Sequence, residues 1–384
     1  MSSAKLQQPP LSLYVHLPWC EHKCPYCDFN SHPLRQTLPE KDYLNALLID
    51  LKHEREVLES RVLHSIFIGG GTPSLFSPPS IHRLLNEIGQ LTECSDRMEV
   101  TIEANPGSSD MGRFDGFLGA GVNRLSVGVQ SFSDEKLLSL GRLHDAEQAQ
   151  SAIVTARRAG FKNLNIDLMF GLPGQNEEDA LRDLSIGINY KPTHLSLYQL
   201  TIEPNTYFAT NPPQLPDEKT DWDIRSAIYS IAKAAGYTRY EVSAFSKPGS
   251  RCKHNLNIWQ FGDYLGIGAG AHGKITTPRE VLRYAKEKHP AIYMKKAQAG
   301  ISLSKSRPIS QADLCFEFML NALRLSEGFQ ENDFKERTGL SWSTLTKPLT
   351  EARRLGLLET AGARIRATDL GYRFLDDLVE LFLP

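Results

Sequence analysis

Residues 13 to 30 read LYVHLPWCEHKCPYCDFN. A short β-rich run, Leu13 to Val15, is followed at once by Cys20, Cys24 and Cys27 in the spacing CxxxCxxC, with the aromatic Tyr26 before the last cysteine. These are half of the six cysteines in 384 residues; Cys94, Cys252 and Cys315 stand far apart with no paired spacing. Such sparse usage argues against a disulfide framework. Three thiolates at this spacing can converge on one metal centre, and thiolates select zinc, Cu(I) or iron–sulfur clusters. A structural zinc needs a fourth protein ligand, and His16, His22 and His32 are near enough to keep that reading open. A cubane cluster on three cysteines leaves one iron open to an exogenous chelating molecule.

Outward from this stretch, short apolar runs recur at Leu13 to Val15, Ile66 to Ile68, Glu99 to Ile102, Arg124 to Val129, Leu164 to Leu168 and His194 to Leu197. Helical patterns separate most of them, as in DYLNALLIDLKHEREVLE from a cap-type Asp42 and DAEQAQSAIVTARRAG from Asp145, closing on Gly160. Strands alternating with helices predict right-handed crossovers and a parallel sheet. The fold class is α/β, and about six such units fit a partial (β/α)6 barrel, whose chemistry collects on the loops after the strands. Residues 1–275 form this core with its extension, 276–306 a Lys-rich linker and helical connection, and 307–384 a smaller, mostly helical unit. In that last unit SQADLCFEFMLNALRLSEG reads as an amphipathic helix ended by Gly328, and the following helix, helix, hairpin, helix order resembles a winged helix. It carries 11 Lys plus Arg against 12 Asp plus Glu from Lys305 to Pro384, so a nucleic-acid partner is disfavoured and a lid or docking module expected. The whole chain is near neutral, with 43 Lys plus Arg against 45 Asp plus Glu, and no run approaches the length of a membrane span. A cytoplasmic location is expected.

Polar and glycine residues cluster where the strands end. Gly69, Gly70, Gly71, Thr72 and Pro73 follow the run SIFI; glycines allow close backbone approach to a ligand or simply a tight turn, and no Gly-Lys-Ser/Thr follows to make a phosphate loop. Glu103 and Asp167 sit at strand ends, where they suggest paired acid and base work, while an Arg142–Asp167 ion pair that only positions loops is the plainer alternative. Gln130 follows the fourth strand. Further on, CKHNLNIWQFGDYLGIGAGAHG carries His254 beside aromatic and aliphatic residues, either an axial ligand for haem iron or a histidine hydrogen-bonded to backbone.

The segment LYVHLPWCEHKCPYCDF resembles the signature of the radical S-adenosylmethionine superfamily, in the branch related to oxygen-independent coproporphyrinogen III dehydrogenase. The resemblance continues through FIGGGTPS, TIEANPG, RLSVGVQSF, LGRLHD, NIDLMFGLPGQ and HNLNIW, and reaches the C-terminal unit. It implies a [4Fe–4S] cluster on Cys20, Cys24 and Cys27 whose open iron chelates S-adenosylmethionine. It further implies that Gly70, Gly71 and Thr72 meet the methionine end of that cofactor, and that Tyr14, Tyr26, Glu103, Gln130, Arg142 and Asp167 surround it. In the dehydrogenase signature a further cysteine follows the third by two residues; here that place is Phe29. The long N-terminal extension of the dehydrogenase has no counterpart before the first strand. Both departures, with the HNL segment at His254, point to the HemW-type haem-chaperone branch. The implied cargo is haem, the implied haem ligand His254, and the implied partners are haem-acceptor proteins, some membrane-bound and met transiently. Whether the chain is also an enzyme is left open, with dehydrogenase activity disfavoured.

Overall fold

The computed structural model describes residues 6–107, 111–301 and 303–384; the first five residues of the expected core fall outside the described ones. All six expected strands form: β1 (Leu11–Leu17), β2 (Leu63–Gly70), β3 (Cys94–Ala104), β4 (Arg124–Gln130), β5 (Asn163–Phe170) and β6 (His194–Gln199). They lie side by side in chain order and parallel. Ala244–Ser246 (β7) adds antiparallel to β6, and Asp263–Ile267 (β8) pairs parallel with β1 on the other side. Among the described residues twelve strands make this one open sheet.

The strands alternate between two environments. Leu13, Val15, Ile66, Ile68, Val100, Ile102, Leu125, Val127, Leu164, Ile166, Leu195 and Leu197 share one apolar core with the covering helices. The intervening positions carry Ser12, Tyr14, Ser65, Glu99, Glu103, Arg124, Ser126, Asn165, Asp167, His194 and Ser196. Register sets these in rows, with Glu103 beside Ser126, Ser126 beside Asn165, and Asp167 beside Gly128 and Ser196. The inside of the partial barrel is therefore polar, and many of these side chains hydrogen-bond to one another, although Thr101 Oγ1 and Arg124 Nε are buried without a partner.

Three expectations need correction. The first long helix spans Glu40–His53, with Pro39 rather than Asp42 at its N-cap. Asp42 lies in the first turn, where a carboxylate favours the helix dipole. The helix from Gln311 ends at Ala322, short of Gly328, because the next residues dock on the barrel: Ser326 donates N–H to Tyr240 O at 3.0 Å and its hydroxyl to Arg239 O at 2.9 Å. Residues 276–306 are no helical linker. His272–Thr276 (β9), Val281–Lys286 (β10) and Ser304–Pro308 (β11) form an antiparallel meander that widens the sheet, with one helix, Pro290–Gln298, between the last two. Lys286 of this Lys-rich stretch is buried in an ion pair with Asp50 at 2.7 Å, as Lys274 just before it is with Asp263 at 2.8 Å. The helix at Asp145 forms as expected, with a capping box to Gln148.

The C-terminal unit has the winged-helix order, helices Gln311–Ala322, Glu331–Thr338 and Thr346–Arg354 followed by the hairpin Leu358–Ala361 and Arg364–Ala367. Its core continues into the barrel extension through Phe261 and Val281, and Phe318 meets Phe261 edge-on at 5.6 Å.

Asp263 holds the junction of β8, β9 and the first crossover. Its carboxylate accepts from Lys274 Nζ at 2.8 Å, Arg61 at 2.7 Å, and the N–H and hydroxyl of Thr276 at 2.9 and 2.8 Å, all out of solvent. Removing one member of a buried ionic network leaves the others unpaired. Asp263→Ala is expected to destabilise the chain by about 3–5 kcal/mol, seen as a lower urea midpoint and an earlier thermal transition.

Candidate functional site

The cysteine loop is pinned at its neck. Trp19–Cys20 pairs with His32–Pro33, His32 N–H donates to Pro18 O at 2.7 Å, and Leu34 N–H donates to Cys20 O at 2.8 Å. Within it a turn closes from Cys27 N–H to Cys24 O at 3.1 Å. All six cysteines are free thiols.

The loop after β2 packs on this neck. Gly70 adopts φ 124°, a left-handed conformation that favours glycine. A Cβ on Gly71 would run into the Trp19 carbonyl, and Thr72 N–H donates to that same carbonyl at 2.7 Å. The glycines thus serve the close approach of two backbone segments, which brings the rim of β2 against the cysteines.

A cavity of about 310 Å³ opens above the strand ends, lined by Cys20, Cys24, Cys27, Tyr26, Gly70, Gly71, Thr72, Glu103, Gln130, Arg142 and Asp167. Of the residues singled out from sequence, Tyr14 and His254 lie elsewhere, on a neighbouring cavity of about 860 Å³ that shares Gly70 and Glu103 with the first.

The Arg142 guanidinium reaches Cys24 Sγ at 3.7 Å and donates to Asn105 Oδ1 at 2.8 Å and Gly128 O at 2.9 Å. Its Nε is buried with no hydrogen-bond partner. Among the described residues no ion pair joins it to Asp167, so the loop-positioning pair is not formed. Asp167 instead accepts from Ser126 at 3.1 Å and Asn165 at 2.8 Å. Gln130 sits at φ 70°, a strained conformation for a non-glycine residue, where the pairing of β4 with β5 shifts register.

Glu103 receives Gly70 N–H at 3.3 Å. Burial, then the neighbouring Asp167 carboxylate, push its pKa up to about 8. A carboxyl so placed is mostly protonated at neutral pH and ionises when a cation arrives. Burial likewise raises the Cys20 thiol to about 11.

Sequence reading missed the floor of the site. Arg124 is 2 % exposed and is held charged, against the effect of burial, by Cys252, Glu99, Tyr240 and Asp167. Asn165 joins Ser126 at 2.7 Å and His194 at 2.6 Å, and His194 reaches Tyr240 OH at 2.7 Å. Glu99 accepts from Lys253 N–H at 2.9 Å and so fixes the start of the helix Lys253–Trp259 that carries His254. The signal was present: in most of the apolar runs alternate residues are polar, as in EVTI, LNIDL and HLSL.

Whether these residues fit an iron–sulfur cluster rests on their donors. Three free thiols face one cavity beside a buried guanidinium with an unpartnered N–H. Among the described residues no trio of His, Cys, Asp or Glu converges tightly enough for a single metal ion. The set suits a larger, multi-metal ligand better than a lone zinc.

The sequence model of the Radical SAM superfamily matches residues 14–185, and that of the HemN C-terminal domain matches 309–374. The chain is 48 % identical to the protein named heme chaperone HemW of Haemophilus influenzae over 98 % of both chains. It is 47 % identical to heme chaperone HemW of Escherichia coli, again over 98 % of each. The chain belongs to the HemW family. Among solved structures, the coproporphyrinogen III oxidase HemN of Escherichia coli superposes with a TM-score of 0.81 at 23 % identity, covering 98 % of this chain and 90 % of that one. The fold is therefore shared between HemW-type and HemN-type proteins. Phe29 is 59 % exposed at the rim of both cavities.

The raised pKa of Glu103 gives a signed prediction. Below pH 8 a cationic ligand must displace a proton from it, so S-adenosylmethionine affinity should rise with pH up to about 8 and level off above. Calorimetry across pH checks this; in Glu103→Gln the dependence disappears and affinity falls by about tenfold or more.

Proposed function

We propose that this chain is a haem chaperone built on a radical S-adenosylmethionine scaffold. The observation that carries the reading is its likeness over nearly the full length to two proteins named heme chaperone HemW, together with Phe29 where a dehydrogenase has cysteine.

Cys20, Cys24 and Cys27 hold a [4Fe–4S] cluster in this reading. Gly70, Gly71, Thr72, Glu103, Gln130 and Asp167 shape the place for S-adenosylmethionine, and Tyr26 and Arg142 close it on the cysteine side. When bound, a reduced cluster supplies one electron for cleaving a sulfonium. The protein's residues do the rest. Glu103 takes up the charge of a bound ammonium; Gly70 and Gly71 let backbone approach; Arg142 places a cation against Cys24. Tyr14 sits beneath Glu103 with its hydroxyl on His16 at 3.0 Å, a support for the wall between the cavities.

The partners are haem and haem-acceptor proteins. Among the described residues no helix is long and apolar enough to cross a membrane, and six free thiols suit a reducing compartment such as the cytoplasm. Contact with membrane-bound acceptors is then transient.

Anaerobic titration of the chain with haem should give a saturable Soret change. Supplied with reductant, S-adenosylmethionine and coproporphyrinogen III, it should form no protoporphyrinogen. Absence of the Soret change, or turnover to protoporphyrinogen, would contradict the proposal. Phe29→Cys is expected to leave the chain inactive in that assay, since one added thiol does not rebuild a substrate site.

A further inference from the structure

The cavity of about 860 Å³ is the larger of the two and adjoins the first along Lys23, Asp28, Phe29 and Ser31 of the cysteine loop and along Gly70, Glu103 and Glu203. Its lining is amphiphilic. Tyr14, Phe29 and Tyr264 offer aromatic surface, Ile258 aliphatic surface, Lys23 and Lys288 positive charge, and Asp28, Glu103 and Glu203 carboxyl groups. A flat, apolar ligand with peripheral carboxylates suits such walls where its ring faces meet the aromatics and its carboxylates the two lysines. Pockets of roughly 300–1,000 Å³ hold ligands of that size.

Four histidines line it, and they are not equivalent. His16 has both ring nitrogens engaged, with Tyr14 OH and with Asn30 O, each at 3.0 Å. His32 turns its ring edge toward His289 at 5.7 Å and keeps Nε2 buried. His254 is 3 % exposed, packed near the rings of Phe67 and Tyr14 at 5.2 and 6.3 Å, with Nδ1 on Ser65 at 3.3 Å. His272 differs from all three. Its ring is exposed and makes no hydrogen bond among the described residues, while its backbone is fixed at the start of β9, opposite Ala285 and tight against Gly266. A fixed backbone that carries an imidazole with a free nitrogen into the cavity leaves that nitrogen available to an iron, with water left to hold the other ring nitrogen.

We propose that this second cavity holds the haem, with His272 as an axial ligand to its iron and Lys23 and Lys288 facing the propionates. The assignment rests on the haem-chaperone reading above. His254, the ligand implied by the family resemblance, becomes part of the wall against which the macrocycle lies. The residues common to both cavities, Lys23, Asp28, Phe29, Ser31, Gly70, Glu103 and Glu203, then set cargo and cofactor side by side.

The test is anaerobic haem titration of the full chain with its cluster reconstituted, followed by Soret absorption and electron paramagnetic resonance of the ferric form. His272→Ala is expected to lose the coordination spectrum and weaken binding by about tenfold or more. Added imidazole should restore the spectrum, which a merely misfolded variant would not allow. Lys288→Glu should weaken binding without moving the Soret band. His254→Ala should weaken binding too, yet keep the coordination spectrum. The assignment is overturned if His272→Ala keeps the wild-type spectrum, or if His254→Ala loses it and His272→Ala does not. If wild-type chain itself takes up no haem, the chaperone reading fails first, and this assignment with it.

Discussion

The constraint on which the structure depends is the burial of polar side chains inside the partial barrel. Each parallel strand gives one set of alternate residues to the apolar core and the other to the interior, and buried polar groups must find partners. Arg124 is the centre of that requirement. Its charge, deep in β4, is balanced by Glu99 and Asp167 and lies near Tyr240 and Cys252, which ties four parts of the chain to one point. Around it hydrogen bonds run from Asn165 through His194 to Tyr240, and Glu99 holds the start of the helix carrying His254. The floor of the first cavity and the helix at the wall of the second thus lie around one buried charge.

Much of this was legible in the chain itself. The six apolar runs marked the parallel strands because a short apolar run between helical patterns has few other uses. The cysteines, glycines and strand-end polar residues found their common cavity because a β/α barrel places every strand end on one face. The barrel extension was harder. β9 to β11 carry lysines whose partners, Asp50 and Asp263, come from distant segments, and tertiary ion pairing is invisible to local pattern. Gln311–Ala322 ends early for the same reason: its stop is a hydrogen bond to Tyr240, not a glycine. Tyr14 and His254 were singled out with the others, but only the three-dimensional structure separates one cavity from its neighbour.

The two cavities give physical content to the divergence within this fold. A HemN-type structure and this chain share the scaffold at a TM-score of 0.81. A scaffold does not dictate function, which belongs to the site built on it. Here the site retains a cysteine trio and a carboxylate poised to meet a cation, while Phe29 presents an exposed aromatic at the rim of both cavities.

The central claim is that cluster and haem occupy separate places in one chain. Metal and sulfide analysis with Mössbauer spectroscopy on a single anaerobic sample, before and after haem loading, tests it most directly. The expected result is an intact cubane cluster whose signal persists while one haem per chain is added. Loss of the cluster signal as haem enters, or zinc in place of iron and sulfide, would contradict it.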